Sequence, residues 1–314
     1  MILEKKVCIV SVGDLVMDIN LSLQKLPVKH EEHQMLAGTH QEPGGAGNFL
    51  IAGARLGAKM VGLGAVGDDF YGHEMLRILN AEHVDVSLAE VQPQGQTTVI
   101  YVLNSPKQAQ HVFLGFQGTG PLVSFSENWK AKVLAADAVQ AYGYTLQEER
   151  MARAMLSAMQ FAKENGKPVF FDPGPYVLGV PPIVWQEALR YTTALILTEE
   201  EIKYVLPSFK ELEDAQRLFE YGIEMLVIKK GPNGSSVWKG GERFHVPGFK
   251  VDVVDTTAAG DSFGAAFIAG YSQGWSIPKV LRLANATGAA KVQKAGSGRQ
   301  VPTLAEIEAI FYGP

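Results

Sequence analysis

The residues best suited to chemistry form a run of small side chains that ends on an acid, Ala258-Ala259-Gly260-Asp261. Large apolar residues follow at positions 263, 267 and 271, and this spacing predicts a helix that begins close to Asp261. Unpaired N–H groups at a helix start, together with the helix dipole, favour an anion. An acid placed there could accept a proton from a hydroxyl while the amides hold the charge of a phosphoryl group in transfer. The alternative is that Asp261 only complements the helix dipole.

Two further acids, Asp14 and Asp18, follow the apolar, β-branched run at residues 7–13. Such a run, closed by a glycine, is typical of a buried parallel strand. Ligands of parallel α/β sheets gather outside the carboxyl ends of the strands, so both acids are candidates to bind sugar hydroxyls. The alternative interpretation is that they are solvated loop residues.

Two glycine-rich stretches come next. In Gly44-Gly45-Ala46-Gly47-Asn48 the glycines permit close backbone approach, and the amide of Asn48 can both donate and accept hydrogen bonds. We expect this stretch to hold a polar ligand.

Residues 62–67 spell G-x-G-x-x-G, a pattern of dinucleotide-binding turns. The acids Asp68 and Asp69 follow at once and would oppose a pyrophosphate, which argues against that interpretation. A P-loop is excluded, because the sequence contains no G-x-x-x-x-G-K-[ST].

The remaining pattern alternates between strands and helices. Short apolar runs predict strands at 138–141, 169–171, 194–197 and 225–229, and helical patterns lie at 71–81, 147–164, 182–190 and 277–294. Hairpins are predicted at 97–114 and 235–246, and capping boxes at Thr198–Glu201 and Thr303–Glu306. A mostly parallel sheet is the expected outcome.

Composition limits the possible partners. The net charge of −5 argues against a broad nucleic-acid or anionic-membrane surface, because both need clustered Lys and Arg. The single cysteine, Cys8, cannot form a disulfide within one chain and is typical of a reducing compartment. The apolar run at the N-terminus is too short for a signal or a membrane span, so we expect a cytoplasmic protein.

The two functional stretches, about 210 residues apart, resemble the motifs of the phosphofructokinase-B or ribokinase family of carbohydrate kinases. Residues 44–48, with Gly57 and Gly67, look like the first motif, and residues 255–261 look like the second. The similarity extends from Val7 to about Ala309. It implies one α/β domain over residues 1–314, a three-layer sandwich with a central, mostly parallel sheet, helices on both faces and a small β lid. The lid would come from about residues 16–38 and 97–118.

The resemblance also implies roles for the matching residues. Asp261 would take the proton of the acceptor hydroxyl, and the amides of Ala258, Ala259 and Gly260 would form an anion hole. The sugar would be held by Asp18, Gly44, Gly45 and Asn48. ATP would lie in a cleft lined by Lys230, Gly231, Gly234 and Asn285. Glu201 would order the water shell of Mg²⁺, and Asp255 and Thr257 lie in a loop that binds a monovalent cation such as K⁺ in many members.

Three positions depart from the family pattern. Thr198 replaces the usual asparagine of the N-x-x-E motif near the nucleotide, which affects the geometry of the magnesium water shell. Ala258 replaces the commoner glycine, which we expect to be mild because only its amide is needed. Leu50 stands where a small residue is usual.

The acceptor is expected to be a small neutral sugar, such as ribose or fructose, with a primary hydroxyl. A phosphorylated acceptor needs Arg or Lys beside it, but position 46 is alanine and the lid strands contain only Lys107. A nucleoside is the alternative, with Tyr101, Phe113 and Phe116 available for stacking. Two alternative functions lie outside the kinases: a nicotinamide-linked oxidoreductase and a catalytically silent sugar-binding regulator. The edge of the lid hairpin is a candidate homodimer contact.

Overall fold

The computed structural model describes residues 2–108, 110–118, 123–174 and 179–313. Within these residues the strands are β1 (Cys8–Val12), β2 (Met17–Ser22), β3 (Gly38–Pro43), β4 (Lys59–Leu63), β5 (Ala65–Gly67), β6 (Glu90–Gln92), β7 (Val99–Ser105), β8 (Gln110–Phe116), β9 (Ala138–Tyr142), β10 (Val169–Asp172), β11 (Ala194–Thr198), β12 (Met225–Lys229), β13 (Ser235–Lys239) and β14 (Glu242–Val246). The helices are α1 (Ala46–Arg55), α2 (Phe70–Ala81), α3 (Glu127–Ala135), α4 (Glu149–Glu164), α5 (Pro182–Tyr191), α6 (Glu199–Val205), α7 (Ala259–Ser272), α8 (Ile277–Val292) and α9 (Leu304–Phe311).

Eight strands form a central sheet in the order β14-β13-β12-β11-β10-β9-β1-β4. Every pairing from β12 to β4 is parallel, and the predicted hairpin of β13 and β14 adds two antiparallel strands at one edge. The order along the chain reverses at β1, which lies between β4 and β9. Such a reversal opens a crevice at the carboxyl ends of the two strands that flank it. The predicted parallel α/β sheet is confirmed.

Alternating side chains build an apolar core on each face of this sheet. In β12, Met225 and Val227 face a core shared with α1, α2, α7, α8 and α9. Leu226 and Ile228 face the other core, shared with α3, α4, α5 and α6. The sheet with a helical layer on each side is the predicted three-layer sandwich. None of the described helices is long and apolar enough to cross a membrane.

A second, small sheet contains four strands in the order β3-β2-β7-β8. Strands β2, β7 and β8 fall within the predicted segments 16–38 and 97–118, and β7 pairs with β8 as a hairpin. Strand β3 extends to Pro43, beyond the predicted boundary. Its sequence, Gly-Thr-His-Gln-Glu-Pro, has no apolar alternation, so its strand conformation depends on antiparallel pairing with β2.

Candidate active site

The candidate site lies where α7 begins beside the carboxyl ends of the parallel strands. Ala258, the residue before the helix, has a φ of 61°, and Asp261 lies in the first turn. The left-handed conformation costs an alanine about 1 kcal/mol or more, so replacing the usual glycine is less mild than the sequence predicts. The amide of Ala259 donates to the carbonyl of Thr256 at 3.2 Å. Among the described residues, the amides of Ala258, Gly260 and Asp261 have no such acceptor within the chain.

Asn48 and Tyr142 hold the carboxylate of Asp261. Nδ2 of Asn48 donates to Oδ2 of Asp261 at 2.9 Å, and the amide of Gly298 donates to Oδ1 of Asn48 at 2.6 Å, which fixes the orientation of the Asn48 amide. Tyr142, at the end of β9, also hydrogen-bonds to Asp261. Burial raises the pKa of Asp261 to about 6, although the bond from Asn48 and the charge of Lys229 oppose the rise. A carboxylate with this pKa suits a general base near neutral pH.

Asp18 is a buried acid close to the half-buried Asp261. Its side chain, on β2, is 7% exposed, and burial raises its pKa to about 7, with a further rise from the charge of Asp261. The hydroxyl of Ser297 hydrogen-bonds to Asp18. A Cβ atom on Gly44 would lie 1.9 Å from Oδ1 of Asp18, so glycine is needed for the approach. The structure thus brings Asp18, Gly44, Asn48 and Asp261 together.

Gly45 and Asp14 lie next to this group. Gly45 has a φ of 45° and a ψ of −117°, and a Cβ there would lie 2.5 Å from the hydroxyl of Tyr144. Asp14 is buried, and the hydroxyl of Thr98 hydrogen-bonds to it. Burial raises the pKa of Asp14 to about 6. The ring of Tyr144 stacks on that of Tyr142, with the ring centroids 5.0 Å apart, and Tyr142 hydrogen-bonds to Asp261. The two rings therefore connect Gly45 to Asp261.

A buried ion cluster, not predicted from the sequence, lies beside the start of α7. Nζ of Lys229 donates to Oδ2 of Asp172 at 2.8 Å and lies 3.7 Å from Oε2 of Glu201. Burial lowers the pKa of Lys229, but the charges of Asp172 and Glu201 outweigh burial and raise it overall. The same ammonium lies 3.5 Å from the position that a Cβ on Gly260 would take. The two carboxylates therefore hold the ammonium group of Lys229 beside the anion hole.

Three of the residues expected at the nucleotide, Lys230, Gly231 and Gly234, follow directly after β12. Lys230 points away from Lys229 and lies 3.3 Å from a carboxylate oxygen of Glu199. Gly231 has a φ of 54° and open space around it, whereas a Cβ on Gly234 would lie 2.1 Å from the carbonyl oxygen of Val246. Gly231 is thus the one of these two glycines that leaves room for a ligand.

Thr198 and Asn285 have partners within the protein. Thr198 and Glu201 form the predicted capping box of α6, in which the amide of Thr198 donates to Oε2 of Glu201 at 2.6 Å. Nδ2 of Asn285 donates to the carbonyls of Val246 and Pro247, and its Oδ1 accepts from Ser235. Asn285 thus ties α8 to β13 and to the end of β14, and a contact of either residue with ATP stays a prediction.

The loop before α7 is closed by Asp255. Oδ1 of Asp255 accepts from the amide and the hydroxyl of Thr257 at 2.9 and 2.8 Å, and Oδ2 accepts from the amide of Gly296 at 2.7 Å. Burial alone would raise the pKa of Asp255, but these hydrogen bonds lower it. No group of three or more potential metal-ligating side chains occurs among the described residues.

A cavity of about 590 Å³ lies between the small sheet and this loop. The lining residues of the sheet are Asn20, Ser22, His40, Glu42, Val102, Asn104, Ser105, Gln110 and His111, and those of the loops are residues 253–257, 295–297 and 300. Glu42 is neutralised by a bidentate pair with Arg299, with one N–O distance of 2.8 Å. The cavity therefore has a mixed polar and apolar lining, and Asp255 is the one other acid of its described lining.

The G-x-G-x-x-G stretch is structural. A Cβ on Gly64 would lie 2.2 Å from the carbonyl oxygen of Gly13, and one on Gly67 would lie 2.5 Å from that of Gly95. The following helix, α2, is capped by Asp69, which accepts from the amide of Gly72 at 2.8 Å. Because a carboxylate already occupies the helix start where a pyrophosphate would bind, the dinucleotide interpretation has no support.

Comparison with known proteins places this geometry in a family. The model of the pfkB family carbohydrate kinases matches residues 8–304. A 5-dehydro-2-deoxygluconokinase from Geobacillus thermodenitrificans is 27% identical and aligns with 97% of this chain and 93% of its own length. The ribokinase of Bacillus subtilis is also 27% identical, over 98% of this chain and 99% of its own. The crystal structure of a proposed ribokinase II from E. coli, in complex with ATP and Mg²⁺, superposes with a TM-score of 0.83 at 25% identity, covering 98% of this chain and 99% of that one. Since the family match spans nearly the whole chain, the protein belongs to the pfkB family of carbohydrate kinases.

Proposed function

We propose that this kinase transfers the γ-phosphoryl group of ATP to a primary hydroxyl of a small neutral sugar resembling ribose or fructose. The observation that carries the proposal is the position of Asp261, a half-buried carboxylate in the first turn of α7, near the free amides of that turn and the buried acid Asp18. This arrangement provides a proton acceptor and an anion site for one reaction.

In the proposed reaction, Asp18 and Asn48 orient the sugar so that its hydroxyl oxygen faces Asp261. The oxygen forms a bond to the γ-phosphorus as the bond from that phosphorus to ADP breaks, and the hydroxyl proton passes to the carboxylate of Asp261. The amides of Ala258, Gly260 and Asp261 hold the negative charge on the phosphoryl oxygens. The products are the sugar phosphate and ADP, with the proton later released from Asp261 to water.

Lys229 adds positive charge at the same place. Its ammonium lies beside Gly260 and is held by Asp172 and Glu201, so it does not need to reorganise during transfer. We infer that it stabilises the phosphoryl oxygens together with the amides. The neighbouring Lys230, on the opposite side of the chain, is paired with Glu199.

Mg²⁺ fits this site through water. Magnesium usually keeps several waters and binds one or two carboxylates together with substrate phosphates. Asp172 and Glu201 supply two carboxylates against the one positive charge of Lys229, which leaves a net negative charge for a hydrated cation. When bound with ATP, Mg²⁺ would neutralise phosphate charge and orient the phosphates. Glu201 and Asp172 would hold its water shell.

The charges of the acceptor site and of the neighbouring cavity favour a neutral acceptor. The described lining contains no lysine or arginine. Of its two acids, Glu42 is paired with Arg299 from outside the lining, and Asp255 accepts hydrogen bonds from Thr257 and Gly296. Asp18 and Asp261 would both repel an anionic group placed near the reacting hydroxyl. The names of the relatives differ on this point, since one is a ribokinase and another is named for a deoxygluconate derivative. Sugar acids therefore belong in the test.

A nucleoside is less well supported, because the aromatic residues proposed for stacking lie on different faces of the small sheet. Phe113 pairs with Val102, which lines the cavity, whereas Tyr101 and Phe116 occupy the alternate positions of their strands. On the other face, Tyr101 and the β8 residues Val112, Leu114 and Phe116 are all exposed. We propose this apolar face and the edge of β8 as the contact of a homodimer.

The function is tested by measuring ATP consumption with Mg²⁺ across neutral sugars, sugar acids, sugar phosphates and nucleosides. We expect turnover with a neutral sugar and a loss of about 10²-fold or more in Asp261→Asn, because that variant removes the general base. The control is Asp68→Asn. Asp68 is an exposed aspartate that directly follows residues 62–67, so the variant should retain full turnover. Preferred turnover of a sugar acid or a nucleoside would refute the proposed acceptor, and equal turnover in Asp261→Asn would refute the base.

A further inference from the structure

Lys291, near the end of α8, is a charged residue with no exposure to solvent. It is one of the largest fully buried side chains of the described protein. Its Nζ donates to the carbonyl oxygen of Lys294 at 2.8 Å. Burying an ammonium group is costly unless it has partners, so its retention in this place requires an explanation.

The surroundings of Lys291 lead directly to the anion hole. The amides of Val254 and Asp255 both donate to the carbonyl of Val292, at 2.7 and 3.1 Å, so the loop before α7 is attached to the end of α8. Burial lowers the pKa of Lys291 to about 8, and the charge of Asp255 opposes this and favours the ammonium form. The charge of Lys291 in turn adds to the hydrogen bonds that lower the pKa of Asp255 against the effect of its burial. The buried lysine and the aspartate therefore carry opposite charges that favour each other behind the loop, although they form no direct ion pair.

The same loop is where the family resemblance implies a monovalent cation, and the residues here do not fit one. A K⁺ ion needs a carboxylate and several free carbonyl oxygens. The oxygens of Asp255 accept from Thr257 and Gly296, and the carbonyl of Lys294 accepts from Lys291. An ammonium group is a compact unit charge with three donors, so it can occupy carbonyl oxygens that would otherwise face a cation. A further cation here would meet the positive charge of Lys291.

We propose that the ammonium group of Lys291 takes the place of the monovalent cation and makes the enzyme independent of K⁺. Lys291 is then a positioning residue: it contacts neither substrate nor nucleotide, but it holds the segment to which the Asp255 loop and the start of α7 are attached. The inference rests on the proposed function for its effect on turnover, whereas its statement about cation binding can be tested without any acceptor.

The first test uses the wild-type protein. Turnover in a buffer whose only monovalent cation is tetramethylammonium should change by less than about twofold when K⁺ is added, since the charge is already present. K⁺ should not raise the melting temperature, and crystals soaked in Tl⁺ should show no anomalous scattering beside Asp255. Strong stimulation by K⁺, a melting temperature that rises with K⁺, or Tl⁺ beside Asp255 would each overturn the proposal.

The second test uses Lys291→Ala, which removes the ammonium and opens space at the Lys294 carbonyl. We expect its turnover without K⁺ to fall by about tenfold or more, because the anion hole loses its support, and K⁺ to restore part of it. Lys294→Met removes a nearby charge paired with Glu306 but leaves the ammonium of Lys291 in place, so it should behave like the wild type. If K⁺ does not relieve the loss of turnover in Lys291→Ala, then Lys291 has only a packing role. That result would refute the proposal that its ammonium group replaces K⁺. If no acceptor is found, the melting and Tl⁺ measurements still decide the question.

Discussion

Replacing Asp18 with asparagine should stabilise the protein in a way that depends on pH. Burial raises the pKa of Asp18 to about 7 from an ordinary value of 3.8, so the folded protein binds this proton more tightly than the unfolded chain. A raised folded-state pKa gives stability that is complete below about pH 4 and is lost as the pH rises to about 7. The shift of about three units corresponds to about 4 kcal/mol in total.

The side-chain amide in Asp18→Asn cannot ionise, so the stability of the variant does not fall with rising pH as that of the wild type does. Relative to the wild type, its free energy of unfolding should increase by about 2.5 kcal/mol between about pH 5 and pH 8, whatever constant effect the new side chain has on packing. For a chain of 314 residues this corresponds to a difference of about 4 °C in melting temperature. The acceptor KM should rise in the same variant, because the amide binds hydroxyl groups less strongly than the carboxylate.

Asp85→Asn provides a control of opposite sign. Burial would raise the pKa of Asp85, but hydrogen bonds from Lys132 and Ser87 lower it to about 2. Its stabilising effect is present above about pH 4, so Asp85→Asn should lose the same amount of stability at both pH values, about 1 kcal/mol because solvent screens this partly exposed carboxylate. Thermal unfolding at the two pH values measures both variants. A pH-dependent gain for Asp18→Asn below about 0.5 kcal/mol, or of the opposite sign, would refute the reasoning from burial.

Three further predictions concern the same site. Gly44→Ala should raise the acceptor KM by about tenfold or more, because its Cβ would displace the Asp18 carboxylate, whereas Gly264→Ala, whose Cβ has 3.9 Å of clearance, should leave steady-state kinetics unchanged. Lys229→Met should lower the free energy of unfolding by about 3–5 kcal/mol by leaving Asp172 and Glu201 unpaired, and adding Asp172→Asn should recover part of the loss; a double variant no more stable than Lys229→Met contradicts this account. The turnover number should decline as the pH falls below about 6, since Asp261 must be deprotonated to accept the proton, and a flat profile down to about pH 5 would exclude it as the base.

Much of the fold is readable from local sequence patterns. The buried runs of β10, β11 and β12 predict parallel strands, and the capping boxes at Thr198 and Thr303 mark helix starts that the structure has. Strand β3 is the exception, because its polar sequence acquires its conformation only by pairing with β2. The small residues before Asp261 likewise predict the start of α7 from local spacing alone.

The candidate site is only partly readable in this way. Lys229 and Lys230 are adjacent in sequence, and which one faces the anion hole depends on the face of the sheet against which α7 packs. Alternation along β12 places Lys229 on the face of Met225 and Val227, shared with α7, so the assignment follows once that packing is known. The partners of Asp18 and Asn48 come from residues 297 and 298, and no local pattern indicates contacts over such distances along the chain.

Those distant contacts have a consequence for how the enzyme is made. A nascent chain leaves the ribosome with its N-terminus first, so Asp18, Glu42 and Asn48 emerge long before Ser297, Gly298 and Arg299. The three early residues depend on the three late ones for hydrogen bonds, including the Asn48 bond across a separation of 250 residues. Most strands of the central sheet can therefore pair during synthesis while the acceptor site is still incomplete. The newly made protein should gain its catalytic competence late and abruptly, so that ribosome-bound intermediates do not consume ATP.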